Sequence, residues 1–198
     1  MIISISGFPG SGKSTVAKIL SEKLGFERIY MGAILRKIAD QKGINILELI
    51  KEAETDSSID EETDEYVADL GKNKDNFIIE SRTAFHFIPD SFKVFLKVDL
   101  KEGARRIFKD LAKEERNQEE KADSPEKLFH KLKERTEIDR GRYQKYYGID
   151  FTDEGNYDLV IDSTKITAED VVGKLMVEVE KIRENEKQGE EGEIKDEF

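Results

Sequence analysis

The 198-residue chain contains no cysteine, which excludes a disulfide framework and a thiolate metal site and removes support for secretion. No apolar run approaches the roughly 20 residues of a membrane-spanning helix. The opening MIISIS is too short for a signal peptide and has no basic flank, so the cytoplasm is the expected compartment. Positive charge is also scarce: 33 Lys and Arg face 44 Asp and Glu, a net charge of −11. That balance argues against nucleic acid or an anionic membrane as partner, since both are bound through phosphate charge. Any anionic ligand must meet a local basic pocket. The two histidines, His86 and His130, are isolated and read as core or surface residues.

What is present is the pattern of one α/β domain, a size the chain length suits. Ile2 to Ser6 is a β-branched run followed by a glycine-rich turn. A helix follows, with Val16, Ala17, Leu20 and Leu24 at helical spacing and Gly25 as its stop. Phe77 to Glu80, Phe92 to Val98 and Leu159 to Asp162 are further runs of strand length, each followed by helical pattern, which predicts a parallel sheet covered by helices. An acidic, mostly helical stretch of about 32–72 is broken at Gly43 and restarts at Ser58-Ile59-Asp60-Glu61, a capping-box pattern. It reads as an insertion riding on the sheet. The charged segment of about 109–124 reads as a mobile lid and ends where Ser124-Pro125 supplies an N-cap and a first-turn proline. The last helix starts at Thr167. From Arg183 the chain reads RENEKQGEEGEIKDEF, and with hardly an apolar residue 183–198 is expected to be a disordered acidic tail beyond a domain of 1–182.

Gly7-Phe8-Pro9-Gly10-Ser11-Gly12-Lys13-Ser14 satisfies GxxxxGK[ST], directly after a strand and before a helix. Glycines let successive backbone N–H groups turn toward phosphate oxygens, and the helix N-terminus adds roughly half a positive charge. Lys13 would reach the β and γ phosphates, the Ser14 hydroxyl would ligate Mg2+, and Thr15 would contact another phosphate of ATP.

With this loop, the chain resembles the nucleoside monophosphate kinases, and more closely the cytidylate kinases of the short archaeal type. The resemblance spans about residues 1–180. It is carried by MIISISGFPGSGKSTVAKILSEKLG, YMGAILRKIA, FIIESR and LKERTEIDRGRYQKYYGID followed by YDLVIDST. It implies a P-loop NTPase fold, with a five-stranded parallel sheet covered by helices on both faces, a helical monophosphate-binding insertion and a small lid. It also implies transfer of the ATP γ-phosphoryl group to CMP or dCMP, with Mg2+. By the same resemblance Arg36 and Arg82 bind the acceptor phosphate, Arg135 and Asp139 the cytosine, and Arg142 the phosphates under transfer. The chain departs from its relatives at Glu80-Ser81-Arg82-Thr83, where many have glycine before the arginine and bacterial ones aspartate after it. It also has Met31 where bacterial relatives have serine.

The residues themselves support part of this. At 100° per residue Arg135, Asp139 and Arg142 lie within about 60° of one another, interrupting an apolar stripe with Leu128, Leu132 and Tyr146. An Arg135–Asp139 ion pair would explain two of them and leave Arg142 unpaired, whereas a ligand with a phosphate and a hydrogen-bonding base accounts for all three. Arg36 has Asp40 four residues on, so a surface salt bridge competes with a phosphate contact. Arg82 follows a strand directly, where ligands bind in open α/β sheets, with a rim salt bridge as its alternative. Glu80 can hold Mg2+ through water, or be a core carboxylate satisfied by backbone. Among Arg105, Arg106 and Arg116, Arg106 is the one expected to stack on adenine or neutralise the transferring phosphoryl group; a solvated helix face is the alternative for each. The expected partners are therefore ATP and CMP or dCMP, on a monomer. Adenylate kinase or another small-molecule P-loop kinase is the runner-up, opposed by the RxxxDxxR face. A nucleotide switch would want NKxD, but Asn76 stands where the aspartate of Asn73-Lys74-Asp75 should follow.

Overall fold

The computed structural model describes residues 1–111 and 122–196. Strands β1 (Ile2–Gly7), β2 (Glu27–Tyr30), β3 (Phe77–Glu80), β4 (Phe92–Lys97) and β5 (Leu159–Asp162) form one sheet in the order β2-β3-β1-β4-β5, with every pairing parallel. The expected five-stranded parallel sheet is what forms. Each side of it is covered, as a parallel sheet requires. Ile3, Ile5 and Ile78 pack with α1 (Lys13–Leu24) and α8 (Ala168–Asp196) on one face, while Phe77 and Ile79 point to the other. The period-two alternation thus splits β3 between two cores.

Between β2 and β3 the chain inserts α2 (Met31–Lys42), α3 (Ile46–Ala53) and α4 (Ser58–Asn73). These helices share a small core of their own, Ala39, Ile46, Leu49, Ile50, Ala53 and Ile59, against which Ile138 of α7 (Pro125–Tyr147) packs. Gly43 ends α2 in the left-handed region, φ 72°, as its position in the sequence predicts. The capping box lies elsewhere than expected. Asn45 and Glu48 form one at α3, whereas α4 is capped at Ser57, because the Asp56 carboxylate takes the Ser58 N–H and the Ser57 hydroxyl turns to the Glu61 side chain. Ser124 and Pro125 do start α7, with the serine accepting from the Lys127 N–H.

After β3 comes the short α5 (Ala84–Phe87), and α6 (Leu100–Leu111) follows β4. The part of the expected lid at 112–121, including Arg116, lies outside the described residues. Thr167 and Asp170 cap α8 reciprocally. α8 extends from Ala168 to Asp196, through most of the segment expected as an acidic tail. A run of Glu, Lys, Gln and Arg lacks the apolar groups to pack, but these residues have good helix propensity and extend a helix already anchored by Val171, Val172, Leu175 and Val179. No helix among the described residues is long and apolar enough to cross a membrane.

Candidate active site

The loop between β1 and α1 is shaped by backbone contacts that only glycine allows. Gly7 sits at φ 144°, where a Cβ would lie 2.2 Å from the Leu96 carbonyl oxygen of β4. A Cβ on Gly10 would lie 2.4 Å from the carbonyl oxygen of Gly103 in α6, and one on Gly103 would lie 2.5 Å from that of Pro9. Two glycines therefore let α6 rest on the loop. The Lys13 ammonium donates to the carbonyls of Gly7 and Phe8 at 2.9 and 2.8 Å, folded over the turn. From beneath, the buried Ser163 hydroxyl shares its one proton between the Ser11 and Lys97 carbonyl oxygens, 2.9 and 2.8 Å away, tying the end of β5 to the loop.

Beside the loop, at the carboxyl end of β3, Glu80 is buried and bonded by side chains. Its Oε2 accepts from the Ser14 hydroxyl at 2.8 Å, and its Oε1 from Arg28 Nε at 2.7 Å. The register that places Tyr30 of β2 next to Glu80 of β3 brings Arg28 within reach.

A cavity runs from Lys13 and Ser14 to Arg36, Arg82 and Arg135. Arg36 of α2 donates to the Tyr30 hydroxyl at 2.8 Å, across the face of the same ring. Arg82 leaves β3 over the Phe151 ring, and its Nη1 lies 2.6 Å from Asp139 Oδ2. Arg135 Nε lies 4.0 Å from the same oxygen.

Asp139 and Arg142 are not among the residues lining this cavity. Asp139 has no exposed surface, and Arg142 is buried. Arg142 was to be left unpaired by an Arg135–Asp139 ion pair. Instead, its Nε meets Asp60 of α4 at 2.8 Å, Nη1 donates to the Ile50 carbonyl at 3.1 Å, and Nη2 reaches Asp139 Oδ1 at 3.0 Å and the Tyr143 hydroxyl at 3.1 Å. Nη1 and Nη2 are hydrogen-bonded and Nε is ion-paired with Asp60 without a well-formed hydrogen bond, so Arg142 clasps α7 to the insertion. Burial raises the Asp60 carboxyl to about 6; Arg142 pulls it down, while Asp64 and Asp139 add to the rise.

On the other flank of the loop, Arg106 of α6 and Thr15 line a second cavity together with Ser163 and Ile166. Arg106 Nη2 donates to the carbonyls of Ser163 and Thr164 at 2.9 and 3.0 Å, and its Nε to Glu102 at 2.9 Å. These bonds lie in the plane of the guanidinium and fix its orientation. Arg105 is tied to Glu102 on the exposed side of α6, at 2.7 and 2.8 Å, in the surface arrangement.

Residues 2–165 match the cytidylate kinase-like family. The chain belongs to that family. It is 37% identical over 173 residues to a cytidylate kinase of Natronomonas pharaonis, covering 86% of this chain and 85% of the relative. With a cytidylate kinase of Sulfolobus acidocaldarius the identity is 39% over 179 residues, 89% of this chain and 92% of the relative. An S-adenosylmethionine-dependent nucleotide dehydratase of Lacinutrix mariniflava is 36% identical over 180 residues, 90% of this chain but 36% of that longer protein. Among solved structures, a shikimate kinase of Bacteroides thetaiotaomicron superposes with a TM-score of 0.60 at 18% identity, over 91% of this chain and 98% of that one. That likeness establishes the P-loop kinase fold. The cytidylate kinase-like family is one of nucleoside monophosphate kinases, and the chain is a nucleotide kinase.

Reasoning from sequence missed several residues that the family member uses to build this site. Arg28 and Gly103 carried no motif. Asp60 and Asp64 were submerged in an acidic run, where only their i, i+4 spacing on the inner face of α4 distinguishes them from the solvated acids around them.

Proposed function

We propose that the chain transfers the γ-phosphoryl group of ATP to CMP or dCMP, giving ADP and CDP or dCDP. The observation that carries this reading is that one cavity is lined both by Lys13 and Ser14 of the phosphate loop and by three arginines, Arg36, Arg82 and Arg135. Two polyanions held in one cleft need such basic groups in an otherwise acidic protein. Arg36 and Arg82 hold the acceptor phosphate, Arg135 the remainder of CMP, and the loop from Gly7 to Thr15 the triphosphate.

An oxygen of the acceptor phosphate bonds to the γ-phosphorus as the bond to the bridging oxygen of ADP breaks, in line. That oxygen is already anionic, so no general base is required. Lys13 follows the charge that spreads over the transferring group. Ser14 and Glu80 present two hard oxygen donors 2.8 Å apart, a set that suits Mg2+, which takes one or two protein oxygens and keeps several waters. When bound there, Mg2+ neutralises charge on the β and γ phosphates. The oriented guanidinium of Arg106 offers its face to adenine.

The test is product formation from ATP and Mg2+ with CMP, dCMP, UMP, AMP and, because of the shared fold, shikimate. Preference for the two cytidine nucleotides is expected. Preference for AMP or shikimate would overturn the reading.

A further inference from the structure

Asp139 is ion-paired with Arg82 and Arg142 and is not among the residues lining the cavity, whereas a second carboxylate is. Asp64 of α4 lines the cavity beside Thr83 and is only 5% exposed. Its Oδ1 accepts from the Thr83 hydroxyl at 2.6 Å, which fixes the carboxylate, while Oδ2 has no hydrogen-bond partner among the described residues. The Tyr147 hydroxyl stands beside this carboxylate, close enough to act on it, without a hydrogen bond of good geometry. A buried carboxylate oxygen with only a poorly aligned hydroxyl beside it is costly, and a better-placed donor arriving with the substrate would reduce that cost.

We propose that Asp64 determines base specificity, its Oδ2 accepting a hydrogen bond from the N4 amino group of cytosine. The proposal rests on the CMP kinase reading and deepens it. Cytosine offers an N4 donor where uracil offers an O4 acceptor, so the carboxylate attracts one base and repels the other. Arg135, on the same wall, donates to the acceptor atoms of cytosine. Because Thr83 follows Arg82 directly, the turn that binds the phosphate also anchors the base reader. Burial raises the Asp64 pKa, countered by Thr83, Tyr147, Arg142 and His86, as befits a desolvated group awaiting a donor. A site that leaves a buried polar group unpaired with the wrong base discriminates far more strongly than one that selects by shape.

The experiment compares kcat/KM for CMP and UMP, calorimetric binding of both, and thermal melting, in the wild type and in Asp64→Asn, Thr83→Val and Asp139→Asn. Asp64→Asn is expected to lower CMP efficiency by about tenfold or more and to shrink the CMP/UMP ratio in both kinetics and binding. Thr83→Val, which frees the carboxylate, is expected to shrink that ratio less, chiefly through KM. Asp139→Asn is expected to leave the ratio unchanged. If the wild type prefers CMP and Asp64→Asn keeps the wild-type ratio, or if the ratio moves only with Asp139→Asn, the role of Asp64 is overturned while CMP kinase activity stands. If Asp64→Asn does not fold, Thr83→Val decides: an unchanged ratio overturns the proposal. A wild type indifferent to the base overturns both readings.

Discussion

Arg82 Nη1 sits 2.6 Å from Asp139 Oδ2, and the carboxylate it meets has no exposed surface. Arg142 holds the other oxygen at 3.0 Å. Asp139 is therefore a buried anion whose removal takes the carboxylate partner from Arg82 and leaves Arg142 with Asp60 as its counter-ion. Breaking one partner out of a buried pair costs about 3–5 kcal/mol. Asp139→Ala is expected to lose stability on that scale in urea unfolding, with Asp139→Asn losing less because its amide oxygen still accepts. Since Arg82 loses its anchor, KM for CMP is expected to rise while the CMP/UMP ratio holds. A variant with wild-type stability would show that the arginines find other acceptors.

Lys13 donates to the carbonyls of Gly7 and Phe8, and on the proposed mechanism its ammonium exchanges those acceptors for phosphate oxygens. Lys13→Ala is expected to fold normally, because the loop is held by Gly7, Gly10 and Ser163. It is expected to lose about 3–4 kcal/mol of transition-state stabilisation, as removal of comparable electrostatic groups does. Single-turnover kinetics on folded protein checks this, and near-normal turnover would refute the role.

Asp60 couples the clasp to pH. Its carboxyl is raised in the fold from 3.8 to about 6, first by burial, against the pull of Arg142. The folded protein thus keeps a proton that the unfolded chain releases. The stability this contributes is present below about pH 4 and is lost as pH rises through about 6. Other carboxylates run the opposite way, so the readout is a difference: the stability of the wild type minus that of Asp60→Asn is expected to fall between pH 4 and 6 and to be flat at higher pH. A difference that grows with pH would mean that the Arg142 pair outweighs burial.

The parts of this protein legible in its sequence are those encoded locally. The phosphate loop, its strand and its helix are contiguous, so Gly7 to Thr15 could be read at once. The helical period also placed Arg135, Asp139 and Arg142 on one face, where they indeed lie together. What periodicity could not supply was the partner: Asp60 comes from a different helix of the insertion, and without it Arg142 looked unpaired and available for phosphate. The partner of Glu80 was hidden for a similar reason, since Arg28 reaches it only through the β2–β3 register. At Thr83, a carboxylate arrives across space from Asp64. Composition gives the acidic C-terminal segment few apolar groups, but packing is not a condition for continuing an anchored helix.

Gly103 carries a final prediction, because its role is one of close approach. A Cβ there would lie 2.5 Å from the Pro9 carbonyl oxygen and 3.2 Å from Val98 Cγ1. Neither the loop backbone nor the helix can give way cheaply, so Gly103→Ala must displace the phosphate loop or α6 by a sizeable fraction of an ångström. Overpacking of this kind costs about 1–3 kcal/mol. The functional cost is expected to exceed the structural one, since a misplacement of about 1 Å can lower a rate by about a hundredfold. The loss should appear as weaker ATP binding and lower kcat/KM for ATP, with CMP binding little changed. Gly141 provides the contrast: it lies inside α7 with nothing within 4 Å of its would-be Cβ. Gly141→Ala is expected to raise stability by roughly 0.5–1 kcal/mol through helix propensity and leave activity unchanged. Equal ATP affinity in Gly103→Ala and the wild type would show that α6 does not set the position of the loop.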